Sequence, residues 1–423
     1  MGEIENLITN NQQPTTNNQL KPVGLVFGLT LVGLFVLASL IFYFAYTSQR
    51  DAVADFFIEW KGTQVALEGG NPYSDETTRQ IQLGSKGRLV DPGEDQLAFV
   101  YPYWRIFFSI PIAGLSYQWA SAIWLGFILT LYVGALFLTG RAIGWRPTSA
   151  QASSGYYLAL IFAFPAFSSL MLGQSALLVA ALLGGVYYCL KVGASGWAGS
   201  LLALATVKPQ LTLVLIPLLF LRALWRRDWR FILGFFITLA VLAVISFIMY
   251  PAWFSEFVAV ASRYPSYKRS LTGPGFTFDW LGGGLATAVS WAVWLLIAGA
   301  GLWQWWRYTQ AEPAGTKPGL PYDLAFSIGL ILTLLLPPQT NISNPVLLFL
   351  PLTLIFAKLR GGLYGLLVVG VIAISWGLYF VFYNSAYGVL IVVPPVLVTI
   401  LLYRMYRKIN IYDDRQDMQD KML

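Results

Sequence analysis

Asp55 and Glu59 stand four residues apart in RDAVADFFIEWKGTQVALEGGNPY, residues 50–73. On a helix that spacing puts both carboxylates on one face. A carboxylate beside apolar surface has its pKa raised, which suits it to take a proton from a hydroxyl. Asp55 is the first candidate for that base, with Glu59 one turn behind it as neighbour or reserve. The remaining candidates are cations, amides and a phenol: Tyr101 and Arg105 in YPYWRIFF, Gln174 in LGQS, Lys208 and Gln210 in VKPQ, and Asn341 in PPQTNISN. A cation can neutralise a phosphate, and an amide can hydrogen-bond a sugar hydroxyl.

Each candidate has a plainer reading beside the chemical one. Asp55 fits a solvated helix cap. Lys208 is the only charge between Val192 and Leu221, so it reads either as a phosphate contact or as a structural ion pair with an outer acid. Gln174 reads as a sugar ligand or a turn residue, and Asn341 likewise. Arg105 meets lipid phosphate or snorkels to the interface. Tyr101 positions the chain's return to the membrane or forms part of an aromatic wall.

What is missing narrows the chemistry. The chain has no histidine and a single cysteine, Cys189. Imidazole ligands, the commonest general base and an intrachain disulfide are thereby excluded. No His/Cys cluster offers zinc ligands and no Gly-rich phosphate loop is present, so no metal or cofactor is expected.

These residues need elements to hold them. Only 11% of the 423 residues are charged and 57% are hydrophobic, with a mean hydropathy of +0.62. Soluble domains carry roughly 25% charged residues. The chain therefore reads as an all-α polytopic membrane protein. Apolar runs predict about twelve spans: 24–47, 118–140, 154–171, 175–190, 193–207, 209–221, 231–250, 285–306, 323–337, 345–357, 363–382 and 388–406. The short ones pair into hairpins whose polar tips are LGQS, VKPQ and PPQTNISN. The organisation is one transmembrane domain over 23–408, between a tail of residues 1–22 and another of 409–423. Residues 48–117 and 251–284 form two outer loops.

Placing both termini in the cytoplasm puts 17 of the 27 Lys and Arg residues there, as the positive-inside rule asks. The net charge of +7 then reflects membrane flanks rather than a nucleic-acid partner. Within the first outer loop, Phe56, Trp60 and Leu67 give the predicted helix an apolar side that could lie on the membrane surface.

The segments DFFIEWKGTQVALEGGNPY, FVYPYWRIFFSIPIAGLSYQWASAIW, LMLGQSALLVAALL, LALATVKPQLTLVLIPLLFLRALWRRDWRFILGF and YPAWFSEF, in that order, resemble glycosyltransferase family 87. This family of GT-C type membrane enzymes includes polyprenyl-phosphate-mannose-dependent mannosyltransferases. The resemblance implies a GT-C-like bundle with a large first outer loop. It also implies a lipid-phosphate sugar donor and a lipid, glycan or protein acceptor at the outer face of a bacterial cell membrane. Asp55 matches the acidic residue that serves the family as base. The chain departs from the pattern at Ser175-Ala176, where members often carry Asn, and at QTNISN, where they often carry His. A different class stays open on the residues alone: a secondary transporter or lipid flippase with a polar outer cavity would show similar spans.

The orientation is testable by labelling. In a Cys189→Ala background, Ser85→Cys should react with a membrane-impermeant maleimide added from outside intact cells. Reaction only after the cytoplasmic side is opened would reverse the topology.

Overall fold

The structure is a computed structural model. It describes residues 20–49, 54–267, 283–312, 318–337, 341, 343–384 and 393–420. Among them no strand occurs. The helices are α1 (Leu20–Ala45), α2 (Ala54–Leu67), α3 (Asp75–Lys86), α4 (Tyr117–Ala142), α5 (Ala150–Phe162), α6 (Phe164–Met171), α7 (Ser175–Lys191) and α8 (Ser195–Ala205). They continue as α9 (Leu215–Arg226), α10 (Trp229–Met249), α11 (Trp253–Tyr267), α12 (Gly283–Gln310), α13 (Leu320–Leu335), α14 (Phe349–Lys358), α15 (Gly362–Asn384) and α16 (Val393–Asp420).

Each apolar run expected from the sequence falls on a helix, but the helices differ in reach. Among the described residues five are long and apolar enough to cross a membrane, six if the bent pair α5–α6 counts as one span. The remaining apolar stretches, including Val393–Tyr406 of α16, are shorter than 18 residues. The run 154–171 was expected as one helix and bends by 62° after Phe162. Pro165 explains the break. It offers no N–H and its ring clashes with the carbonyl four residues back, so Ala163 is extended and a new helix starts around the proline.

The split of 193–221 into two arms is present, though Pro209 opens a short 3-10 turn (Pro209–Leu211) and the returning helix begins only at Leu215. The final helix runs to Asp420, past Lys408, where the expected tail starts. Residues 1–19, Lys268 and Arg269 lie outside the described residues.

Close helix contacts come from small residues. A side chain on Gly199 would meet the Phe231 carbonyl at 2.1 Å, so only glycine lets α8 lie directly on α10.

Ion pairs define one end of the bundle. Lys191, at the end of α7, bonds Asp323 at the start of α13 (2.7 Å), and Tyr187 donates to the same carboxylate (2.7 Å). Arg222 of α9 stacks on Tyr322 (4.6 Å) and makes two hydrogen bonds to Glu312 (2.9 and 3.1 Å), which Arg226 also reaches (3.1 Å). Lys191 and Arg222 thus share an end, as the split requires. A single span over 193–221 would have set them on opposite sides. Gln174 begins α7 and lies at the other end, together with α2.

Glu312 is almost fully buried between two arginines. Glu312→Ala leaves both uncompensated, which in a buried pair costs about 3–5 kcal/mol. The midpoint of thermal unfolding in detergent should fall, and Glu312→Asp should recover part of the loss.

Candidate functional site

The site is built where α2 meets the turn between α6 and α7. Gly173 sits in that turn at φ +66°, a left-handed conformation that glycine adopts without strain. Gln174 follows as the N-cap of α7 and Ser175 as its first residue. Three bonds fix the turn from outside. Trp124 Nε1 donates to the Gly173 carbonyl (2.8 Å), the Tyr46 hydroxyl donates to that of Met171 (3.0 Å), and the Phe56 N–H donates to that of Leu172 (3.3 Å). The last bond also satisfies one of the unpaired N–H groups that open any helix.

α2 is the expected helix, but its face is turned differently. Phe56 does not face lipid. It is fully buried and stacks on Trp124 (5.2 Å) and Tyr117 (6.2 Å) of α4. Trp60 packs edge-on against Tyr117, and only Leu67 of that trio is well exposed. Aromatic area buried against α4 outweighs what the same rings would gain at an interface.

Glu59 follows Phe56 into the interior. Its Oε1 accepts from the Ser175 hydroxyl (2.6 Å) and its Oε2 accepts from Arg105 Nη2. The guanidinium of Arg105, wholly buried, also donates to Ser175 Oγ (2.9 Å) and Ser109 Oγ (3.1 Å) and lies over the Trp124 ring at 4.4 Å. Burial pushes the Glu59 carboxyl above its ordinary range, while Arg105 and Ser175 pull it back. Neither residue reaches lipid or solvent.

Asp55 has a different setting. It stands in the first turn of α2, is only partly buried, and accepts a hydrogen bond from Gln174 Nε2. The first turn of a helix favours a carboxylate electrostatically. The other side-chain atom of Gln174, Oε1, is buried with no hydrogen-bond partner. Such an acceptor is costly to leave unmade, and it sits beside the Asp55 carboxylate on the same amide. The Tyr101 phenol is pushed well above its ordinary pKa, by burial first and then by the charges of Glu59 and Asp55. It is thus a neutral donor close to both carboxylates.

The tip holding Asn341 packs on the same turn. Ser343 meets Ser168 hydroxyl to hydroxyl (3.2 Å), and the Gln174 N–H donates to the Ser169 carbonyl (2.7 Å). The Asn341 carbonyl accepts from the Asn344 N–H (2.9 Å). Lys208 and Gln210 occupy the α8–α9 tip, which the antiparallel packing of α7 and α8 puts at the same end. Lys208 is buried and Gln210 exposed. Of the residues singled out from sequence, the described contacts gather Asp55, Glu59, Arg105, Gln174 and Tyr101 into one cluster.

Ser175, Ser109 and Trp124 belong to the cluster and were not sought from sequence. The GQS tip was the signal for Ser175. The other two carry none, since a serine among aromatics and a tryptophan within a span are commonplace.

Beneath this end lies an apolar cavity of about 510 Å³ between α5, α6, α14, α15 and α16. It starts at Phe164, Pro165 and Pro345, next to the turn, and reaches Leu359 and Met405 near the opposite end. Along α15 its lining runs from Tyr379 to Leu363, about 24 Å at ~1.5 Å per residue. Among the described residues no group of His, Cys, Asp and Glu gathers to hold a metal ion.

Comparison with known proteins gives one family. The profile of glycosyltransferase family 87 matches residues 99–320, more than half of the chain. No curated protein matches. Among solved structures, the crystal structure of ArnT from Cupriavidus metallidurans bound to undecaprenyl phosphate is similar. It is 14% identical, with a TM-score of 0.39, and the match covers 88% of this chain and 77% of that one.

The buried pair can be tested apart from chemistry. Arg105→Met strands the Glu59 carboxylate and should cost about 3–5 kcal/mol. Glu59→Leu with Arg105→Met should be more stable than Arg105→Met alone, measured by thermal unfolding. A double variant no better than the single would show that the pair is not what holds the turn.

Proposed function

The chain belongs to glycosyltransferase family 87, and on that premise we propose that it moves a sugar from a polyprenyl-phosphate carrier to an acceptor hydroxyl, with Asp55 as general base. The observation that carries this reading is the contrast between two carboxylates one turn apart. Both oxygens of Glu59 are occupied in the interior, whereas Asp55 sits at the rim, held by Gln174 beside an unfilled acceptor. Mannose is the family-level sugar. The acceptor is a lipid, glycan or protein, and the reaction takes place at the outer face of a bacterial cell membrane, with both termini in the cytoplasm.

The step follows from the placement. The acceptor hydroxyl donates its proton to Asp55 as its oxygen attacks the anomeric carbon. The bond from that carbon to the phosphate oxygen breaks, and the polyprenyl phosphate leaves with the electron pair. Lys208, on the neighbouring tip, is the cation proposed for that phosphate, and the Tyr101 phenol and Asn341 are proposed sugar contacts. Gln174 Oε1 would accept from a sugar or acceptor hydroxyl and so orient it toward Asp55. Gln210, exposed on the Lys208 tip, would meet the substrate at its outer side. The 510 Å³ cavity suits the polyprenyl tail, since it starts beside the turn and is deep enough for a chain several prenyl units long. A transporter would gather its polar groups near the midplane, whereas these gather at one end.

Asp55→Asn keeps the shape but cannot take the proton. General-base catalysis contributes about 10²–10⁴-fold, so turnover with saturating polyprenyl-phosphate-mannose should fall by that factor while donor affinity changes little. Lys208→Met should do the reverse, weakening donor binding more than it slows the bound complex. Radiolabelled sugar transfer by purified protein separates the two. Near-normal turnover in both Asp55→Asn and Glu59→Gln would remove α2 from the chemistry.

A further inference from the structure

A second groove runs along the middle of the bundle, with its polar side toward the end away from Asp55 and its apolar side reaching the end of α13 at Leu335. It has a volume of about 1130 Å³ and runs between α12, α13 and α16. Its walls are Ile297, Ala300, Ile328, Leu332, Val396 and Ile400, with Gln304, Tyr403 and Arg404 also lining it. Its position follows from the ion pairs. Glu312, just past α12, is bound by Arg222 and Arg226. Lys358, at the end of α14, lies over the ring of Tyr406, two residues beyond Arg404. Gln304 and Arg404 are therefore at the end occupied by Lys191 and Asp323, opposite the α6–α7 turn.

Depth separates this groove from the one beneath the site. Its lining covers residues 297–304 on α12, 328–335 on α13 and 396–405 on α16. At ~1.5 Å per residue these stretches are about 10–14 Å long. That is near half of the roughly 30 Å hydrocarbon core. The groove therefore fits the acyl chains of one leaflet and is too shallow for a polyprenyl tail.

Charge says what sits at its mouth. Three acids of this end whose side chains are described are already engaged: Glu312 by two arginines, Asp323 by Lys191 and Tyr187, and Asp228 as the cap of α10. Among the described residues no acid pairs with Arg404, and the Gln304 amide makes no hydrogen bond. Arg307 follows one turn beyond Gln304 on α12. A guanidinium and an amide, carried by two different helices at the end of an apolar slot, match a phosphodiester, which offers anionic and neutral acceptor oxygens.

We propose that this groove is a binding site for an anionic phospholipid of the leaflet opposite Asp55, with its acyl chains along α12, α13 and α16 and its phosphate at Arg404 and Gln304. The lipid would fill the gap between α16 and the α12–α13 pair. The proposal is independent of the transfer reaction.

The test uses the full chain in phosphatidylcholine nanodiscs doped with phosphatidylglycerol carrying a diazirine in one acyl chain. After irradiation, labelled peptides are mapped by mass spectrometry. Labelling is expected in 297–304 and 396–405, and unlabelled phosphatidylglycerol should suppress it while unlabelled phosphatidylcholine does not. Arg404→Gln should reduce it at least 5-fold and Arg404→Lys less. Thr399→Trp, which fills the slot, should abolish it with helix content by circular dichroism unchanged. Equal labelling by a diazirine phosphatidylcholine, labelling unaffected by Arg404→Gln, or no label in these segments would overturn the proposal. So would a dimer that Thr399→Trp dissociates, because the groove would then hold a second copy. None of these readouts involves sugar transfer, so they stand or fall apart from the role of Asp55.

Discussion

A guanidinium with no access to water organises the site end of this protein. Arg105 must find hydrogen-bond acceptors inside the bundle or not be buried at all. It finds Glu59 on α2, Ser175 on α7 and Ser109 on its own segment, and its face rests on Trp124 of α4. Those partners are separated by tens of residues in sequence. Satisfying one cation therefore draws together the first loop, the second long span and the α6–α7 turn. Trp124 links the charge to the turn, since the ring under Arg105 also donates from Nε1 to Gly173. Gln174, the next residue, reaches Asp55.

The opposite end uses charge in a different way. There the acids are buried and closed off in pairs, Asp323 with Lys191 and Glu312 with Arg222 and Arg226. These pairs tie α7, α9, α12 and α13 together where the short helices could otherwise slide along one another. The antiparallel arms α7, α8 and α9 carry their polar tips to the Asp55 end as a consequence. Short arms are then an advantage. A helix too short to span would leave its tip below the surface, within reach of the proposed lipid-borne donor, and non-helical backbone at such a depth is tolerated only where protein shelters it.

The sequence reading succeeded where the signal was local and periodic. Long apolar runs gave the positions of the helices, and the polar tips LGQS and VKPQ marked where short arms turn back. The spacing of Asp55 and Glu59 gave one helix face. It could not say how that face was turned. Phe56 and Trp60 serve equally well against lipid or against α4, and only the partner ring of Trp124 decides. Arg105 misled for the same reason. An arginine among aromatics reads as interfacial, and its burial depends on Glu59, 46 residues earlier. The bend at Ala163 was legible in Pro165, whereas the delayed start of α9 at Leu215 had no such marker.

Asp55 and Glu59 are chemically alike and one turn apart on a single helix, yet their surroundings give them opposite properties. Glu59 is desolvated, and each of its oxygens is held by a fixed donor. Burial raises its pKa while Arg105 and Ser175 lower it, and its carboxylate is what compensates the buried guanidinium. Asp55 is partly exposed and accepts an N–H from Gln174 at the rim of the α6–α7 turn. The carboxylate proposed as base is thus the partly exposed one at the start of α2, not the one in its packed interior. The inner carboxylate ties the helix to Arg105, and the outer one meets the α6–α7 turn through Gln174. That division follows from depth along α2, which Phe56 sets by anchoring the helix on Trp124.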